Sequence, residues 1–398
     1  RFEGIEEPLA RLAVATYVLD AARVQTCGAV DRGERPAVLS AILKYQATER
    51  MRTALNDALD IQGGKAICEG PGNGLANVYH AIPVAITVEG ANILTRSLII
   101  FGQGAVRAHP WLVVEMQAAQ DRDLAGFDKA LRGHLGWFLG NLGRVIRHSY
   151  LGAKYIKPPI DGPTARYFRE LARDSARLAL LADAAMALLG GELKRRESLS
   201  GRFADILSEL YLISCVLRRF EDDGRPGEDL PLVDAAARWG FYTVQERIDA
   251  ILANFPNPWA GRLLRLLVLP RRNRRPPPDA LNHAAAALLM TPGTARDRLT
   301  RGIFIGRAPD DPAARLDYAL DRVLAAEAIE SRLKGSGHED DPGAAHRAGL
   351  IDAGQFQILE EARQAMGRAI QVDDFEPAEL LRSPQAPRRE RADRLRTG

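Results

Sequence analysis

Across 398 residues, 54 lysines and arginines nearly balance 51 aspartates and glutamates, and 46% of the side chains are hydrophobic. That balance excludes recruitment of nucleic acid by a global basic field, and the apolar share is ample for a buried core, so a partner is to be sought in local sites. Cys27, Cys68 and Cys215 lack paired spacing, which excludes a disulfide framework or a multi-cysteine zinc site and fits a reducing compartment.

No HExxH arrangement occurs, no apolar run reaches the roughly 18 residues of a membrane span, and no signal-peptide pattern opens the chain. The expectation is a soluble, cytoplasmic chain, with peripheral contact at a bacterial inner membrane left open. Arg1 is followed at once by amphipathic sequence, so the chain reads as one that begins in mid-protein.

Ile5, Leu9, Leu12 and Leu19 fall at helical spacing and predict a first helix to about Thr26. A second begins near Pro36, carries Leu39, Leu43, Ala47, Met51, Leu55 and Ala58, and stops at Gly63-Gly64. Residues 63–88, rich in Gly, Pro and Asn, read as a structured loop. A third helix starts near Gly90 and runs through Leu94, Leu98 and Phe101 towards His109, with Pro110 closing it or opening the next. Further helical patterns occupy 124–148, 164–189, 203–217, 230–254, 278–290, 312–333 and 355–371, with alternation of period two almost absent. The fold class is therefore all-α. Residues 384–398 read as a disordered charged tail.

Four stretches carry candidate chemistry. In VEGANILTRS, residues 88–97, Glu89 reads either as an acid complementing a helix N-terminus or as a base made basic by its apolar neighbours. Gly63 and Gly64 read as a helix cap, or as backbone bared for a planar or phosphate-bearing cofactor. Gly70, Gly72 and Gly74 do not form a phosphate loop, since no strand precedes them and no Lys-Ser/Thr follows. Residues 259–278 end in Arg271, Arg272, Arg274 and Arg275 and read as a core helix with a solvated turn, or as a basic segment on an anionic membrane. His134 and His148 share a helical face without a third ligand, so no metal is expected.

The order of these pieces resembles the C-terminal α-helical domain of the acyl-CoA dehydrogenases: a helix ending in Gly-Gly, as in ALDIQGGKAI at 58–67, a loop, then VEGANILTR at 88–96. FEGIEEPLARLA, AVLSAILKYQATERMR and PVAITVEGANILTRSLIIFGQGAVRAHPW look like the large bacterial long-chain members of fatty-acid β-oxidation. The resemblance divides the chain into a C-terminal bundle at 1–120, a helical extension at 121–383 and the tail, and implies that the upstream flavin-holding domains are not part of it.

It further implies FAD-dependent α,β-dehydrogenation of medium- or long-chain acyl-CoA to trans-2-enoyl-CoA, in a homodimer that passes electrons to an electron-transfer flavoprotein. Glu89 takes the place of the catalytic base, Gly63, Gly64, Ala91, Asn92 and Ile93 match cofactor-binding positions, and Gly90 and Arg96 match substrate-side ones. Ala91 replaces the usual Thr, and Asp60 and Glu3 stand where relatives often carry Gln, so neither acid is assigned to FAD. Two other readings accompany this one: a catalytically inactive helical fragment serving dimerisation or membrane association, and an acyl-CoA oxidase.

Overall fold

A computed structural model describes residues 2–306, 311–373 and 375–377. They are helical, with no strand among them. The helices are α1 (Glu3–Asp31), α2 (Ala37–Gln62), α3 (Leu75–Thr87), α4 (Asn92–Leu94), α5 (Gly104–Ala108), α6 (Leu112–Gln120), α7 (Leu124–Tyr150), α8 (Ala165–Leu189) and α9 (Glu197–Asp222). They continue with α10 (Leu230–Ala253), α11 (Pro258–Val268), α12 (Asp279–Met290), α13 (Thr294–Thr300), α14 (Pro312–Leu333), α15 (Pro342–Arg347) and α16 (Ala353–Ile370). The expected disordered tail at 384–398 lies outside the described residues.

Two compact units emerge: residues 1–61 with 81–302, and residues 62–80 with 303–398. Packing follows a different line from the proposed division at residue 120, because α1 packs on α9, α10 and α12. In the first unit α9 is the central element. Its expected stripe of Phe203, Ile206, Leu210, Ile213 and Leu217 is buried, but so are Leu199, Leu212, Val216 and Phe220, as befits a helix enclosed on most sides. One core joins α1, α9, α10 and α12 around Tyr17, Phe220 and Leu232; another joins α2, α7, α8, α9, α10 and α11 around Ile42, Leu181, Phe203 and Ile248. Each such large side chain contributes about 1.5–3 kcal/mol by leaving water.

Three expectations change. The face that α1 buries is Ala10, Ala13, Val14, Tyr17, Val18, Ala21 and Ala22, rotated from the expected leucines, because small side chains let neighbouring helices approach closely. Residues 63–88 are not an irregular loop: a 3₁₀ turn at Gly63–Ile67 precedes α3, whose Pro83, lacking an N–H, obscured the helical pattern. The third helix is not regular, since Thr95–Gln103 is a π-helix between α4 and α5.

The second unit is organised by α14 and α16, which enclose Ala326, Ile329, Leu333, Leu359 and Ala362. Asp352 and Gln355 form a reciprocal capping box at the start of α16. The glycines at 70 and 72 find their reason here: Asp373 accepts from Gly72 N at 3.0 Å, and a Cβ on Gly70 would lie 2.2 Å from its carboxylate. Among the described residues no single helix is long and apolar enough to cross a membrane, although Leu75–Thr87 with Asn92–Gln103 passes that test as a bent pair.

Candidate functional site

Glu89 lies in the turn between α3, which ends at Thr87, and α4, which starts at Asn92, so it follows one helix C-terminus as well as preceding a helix start. Its φ of +54° and the +93° of Gly90 form a two-residue left-handed turn, and the next helix takes Ala91 as its N-cap. The position after a helix C-terminus is where glycine normally sits, because a Cβ there meets the carbonyl oxygen. Glu89 thus occupies an unfavourable conformation and places an acid at the negative end of the α3 dipole. It is also exposed, so the apolar enclosure considered from sequence is not formed by this chain alone.

One side chain from a distant element holds this turn. Lys44 of α2 donates to Ile86 O at 3.3 Å, Gly90 O at 2.8 Å and Asn92 Oδ1 at 2.7 Å. A cation there satisfies carbonyls at the α3 terminus and offsets their negative charge. Asn92, 3% exposed, gives its amide protons to Thr48 Oγ1 at 2.9 Å and Glu49 Oε1 at 2.7 Å. Through those bonds Asn92 helps to position the turn. Gly90 is required both by its φ and by Thr95, whose Oγ1 would lie 3.3 Å from an added Cβ.

Arg96 also turns inward. Its Nε and Nη2 bind Asp205 of α9, both at 2.7 Å, and that bidentate bond raises the guanidinium pKa. Arg247 reaches the same carboxylate at 2.8 Å. Arg96 therefore clamps the π-helix to α9. Ala91 and Ile93, by contrast, are exposed, Ile93 at 80%, and Val88 and Leu94 add to an apolar rim beside Glu89. Within the other unit, Gly63 has a φ of +65°, and a Cβ on Gly63 or Gly64 would meet nothing within 4 Å. These exposed small residues offer accessible backbone to a planar group, which is the fit a flavin edge requires.

A cluster that sequence reading missed surrounds His134. Its Nδ1 lies 2.8 Å from Glu115 Oε1, its ring 4.4 Å from that of His109, and His109 Nε2 lies 3.2 Å from Asp183 Oδ1. His109, His134 and Asp183 bring potential ligand atoms within 4.8 Å of one another, so the third partner absent from the local sequence is supplied by α8. His109 Nδ1, however, accepts from Leu112 N at 3.0 Å and Trp111 N at 3.3 Å. The neutral ring then carries its proton on Nε2, pointing a donor, not a lone pair, into the cluster. Burial lowers the His109 pKa and raises that of Asp183. His148 is not part of this group; burial and four arginines lower its pKa.

The family described as acyl-CoA dehydrogenase, C-terminal, bacterial type, matches residues 106–375, and the acyl-CoA dehydrogenase C-terminal domain matches residues 1–101. The chain is 25% identical over 226 residues to the mouse mitochondrial very long-chain specific acyl-CoA dehydrogenase, covering 55% of this chain and 32% of that protein. An acyl-CoA dehydrogenase from Bacillus anthracis, solved in complex with FAD, shares the fold with a TM-score of 0.55 at 17% identity, over 73% of this chain and 49% of the other. The chain thus spans about a third and about half of the length of these two relatives.

Proposed function

Starting from the premise that the chain belongs to the acyl-CoA dehydrogenase family, we propose that it supplies the proton-abstracting half of a flavin-dependent α,β-dehydrogenation of medium- or long-chain acyl-CoA. The observation that carries this reading is Glu89 itself: an acid held in a left-handed turn just past the C-terminal end of α3 by Lys44, which comes from a distant helix, and by the neighbouring Asn92. Strain of that kind, roughly 1–3 kcal/mol, persists where function selects the geometry.

In this reading Glu89 takes a proton from the acyl α-carbon as the bond to the β-hydrogen weakens, and the product is a trans-2-enoyl-CoA. Bound FAD would supply the acceptor for the β-hydrogen on the opposite face of the acyl chain. Ala91, Asn92 and Ile93 would stand at its edge, Gly63 and Gly64 would reach the flavin of the neighbouring subunit, and Gly90 would leave room for the thioester. Lys44 and Asn92 fix the Glu89 backbone before substrate arrives, so orientation costs little at the moment of reaction. Val88, Ile93 and Leu94 provide exposed apolar surface that suits an acyl chain. Electron-transfer flavoprotein as acceptor, a homodimer, and a cytoplasmic location with contact at the inner membrane belong to the same proposal.

The test assembles this chain with the flavin-holding portion that the relatives carry and follows dye reduction by palmitoyl-CoA. Glu89→Gln is expected to keep the flavin absorbance and to lower turnover by about 10²–10⁴-fold, the range for losing a general base. Near-normal turnover in that variant would remove Glu89 from the proposed role.

A further inference from the structure

A cavity of about 380 Å³ opens where the C-terminal end of α7, the turn at 151–154, α8 and the loop at 270–274 meet, all within the first unit. That volume is in the range of small-ligand sites. Its walls are cationic. Lys154, Arg173, Arg177, Arg271 and Arg274 line it, and Glu170 is the single acid among the lining residues. Behind the wall Asp174 is fully buried and accepts from Arg177 at 3.1 Å and Arg274 at 2.5 Å, with Arg173 3.9 Å away. Glu170 accepts from Arg274 at 2.6 Å and from Arg173. Five cations therefore face two carboxylates, a surplus of three positive charges. Lys154 and Arg271 have no acid partner among the described residues; Lys154 rests over the Tyr155 ring at 5.0 Å.

Arg177 is 5% exposed, lines the cavity, and its Nε makes no hydrogen bond. Arg173 Nε likewise makes none. Burial above all, and then the neighbouring Arg173 and Arg274, bring the Arg177 pKa down to about 10 despite Asp174. The wall is also built to hold its shape. Gln245, 3% exposed, accepts from Asn273 N and Arg274 N, both at 3.1 Å, and so pins the loop that carries Arg271 and Arg274. Gly152, with φ of +88° and nothing within 4 Å of an added Cβ, leaves bare backbone at the mouth.

We infer that this cavity is a binding site for a phosphate-type polyanion, a diphosphate or phosphomonoester, held by the Arg173, Arg177 and Arg274 guanidiniums with Lys154 and Arg271 at the rim. Planar guanidinium forks match the oxygens of phosphate, and a surplus of three charges selects a multivalent anion over a single carboxylate. The site is separate from Glu89 and does not depend on the reading of that residue. The same chemistry arises from a soluble diphosphate or from the phosphomonoester headgroup of a lipid, and two arms of one experiment separate them.

Inorganic pyrophosphate is titrated calorimetrically into the chain at fixed ionic strength, and the chain is co-sedimented with phosphatidylcholine vesicles containing or lacking phosphatidic acid. Lys154→Ala/Arg271→Ala removes two rim charges that have no acid partner, and is expected to leave the unliganded melting temperature unchanged while weakening binding at least tenfold. Pyrophosphate binding that the variant loses establishes a soluble ligand class, and sedimentation with phosphatidic acid alone, lost in the variant, establishes the headgroup. Binding to neither probe, or equal binding by the chain and the variant, overturns the inference. Arg177→Gln, monitored by circular dichroism for folding, is a second check: a folded variant that still binds pyrophosphate at full strength also overturns it.

Discussion

Replacing Glu89 by glycine is expected to stabilise the chain while removing its proposed chemistry. A non-glycine residue in the left-handed region loses roughly 1–2 kcal/mol to the clash of its Cβ with the carbonyl oxygen, and Glu89 holds a φ of +54°. Glycine relieves that clash but loosens the unfolded chain, which returns about 0.4–1 kcal/mol. Removing a carboxylate from the negative end of α3 adds about 0.3–1 kcal/mol, reduced by the Lys44 ammonium already placed there. The net is a gain of about 0.5–1.5 kcal/mol, equivalent to a rise of a few degrees in melting temperature for a unit of this size. Urea unfolding followed by circular dichroism measures it, with Glu89→Gln as the control that removes charge and keeps the Cβ. Gain in the glycine variant without comparable gain in the glutamine one supports backbone strain as the cause. Loss of stability in Glu89→Gly, or equal gains in both, would refute the reasoning.

Arg96→Ala leaves Asp205, 5% exposed, paired with Arg247 alone among the described residues, and is expected to cost about 2 kcal/mol because a buried carboxylate loses a bidentate partner. Denaturant titration measures that loss, and an unchanged KM for acyl-CoA in the assembled enzyme separates the clamp from a substrate contact. A raised KM without a stability change would restore the substrate role. The pH dependence follows from His109 and His148, whose folded-state pKa values lie below the ordinary 6.5 because burial disfavours the charged rings. Because the fold favours the uncharged rings, their contribution is present above the unfolded pKa and is lost as pH falls from about 6.5 through the lower folded values. Melting temperature measured between neutral and mildly acidic pH should fall accordingly, and His148→Gln should flatten part of the slope. A flat profile in the unmodified chain would rule out both histidines as its source.

Sequence reading recovered the elements whose cause is local. The helix patterns at 230–254 and 312–333 became α10 and α14 almost residue for residue, and Gly63 marked the end of α2. What it did not recover depends on partners far along the chain. Lys44 stands 46 residues from Gly90, and Arg96 stands 109 from Asp205. Nothing near either residue announces its bond. The order of the neighbouring motifs singles out Glu89 as a candidate, while its left-handed backbone has no signal in sequence, because glutamate is a residue whose own preferences argue against that conformation. His134 lacked a third partner in sequence for the same reason, since Asp183 arrives from α8.

The π-helix at Thr95–Gln103 has a bearing on descent. A π segment is a helix carrying more residues per turn than its α-helical neighbours, so it behaves as an insertion absorbed without a loop. Here it lets Arg96 reach Asp205 while Phe101 stacks on Phe203 with ring centroids 4.4 Å apart. Deleting one residue would rotate everything downstream by about 100° relative to α4 and turn one of those two contacts away. Relatives aligned over this stretch should therefore preserve its length more strictly than its letters, and a gap inside 95–103 would mark a lineage in which the clamp and the stack no longer coexist.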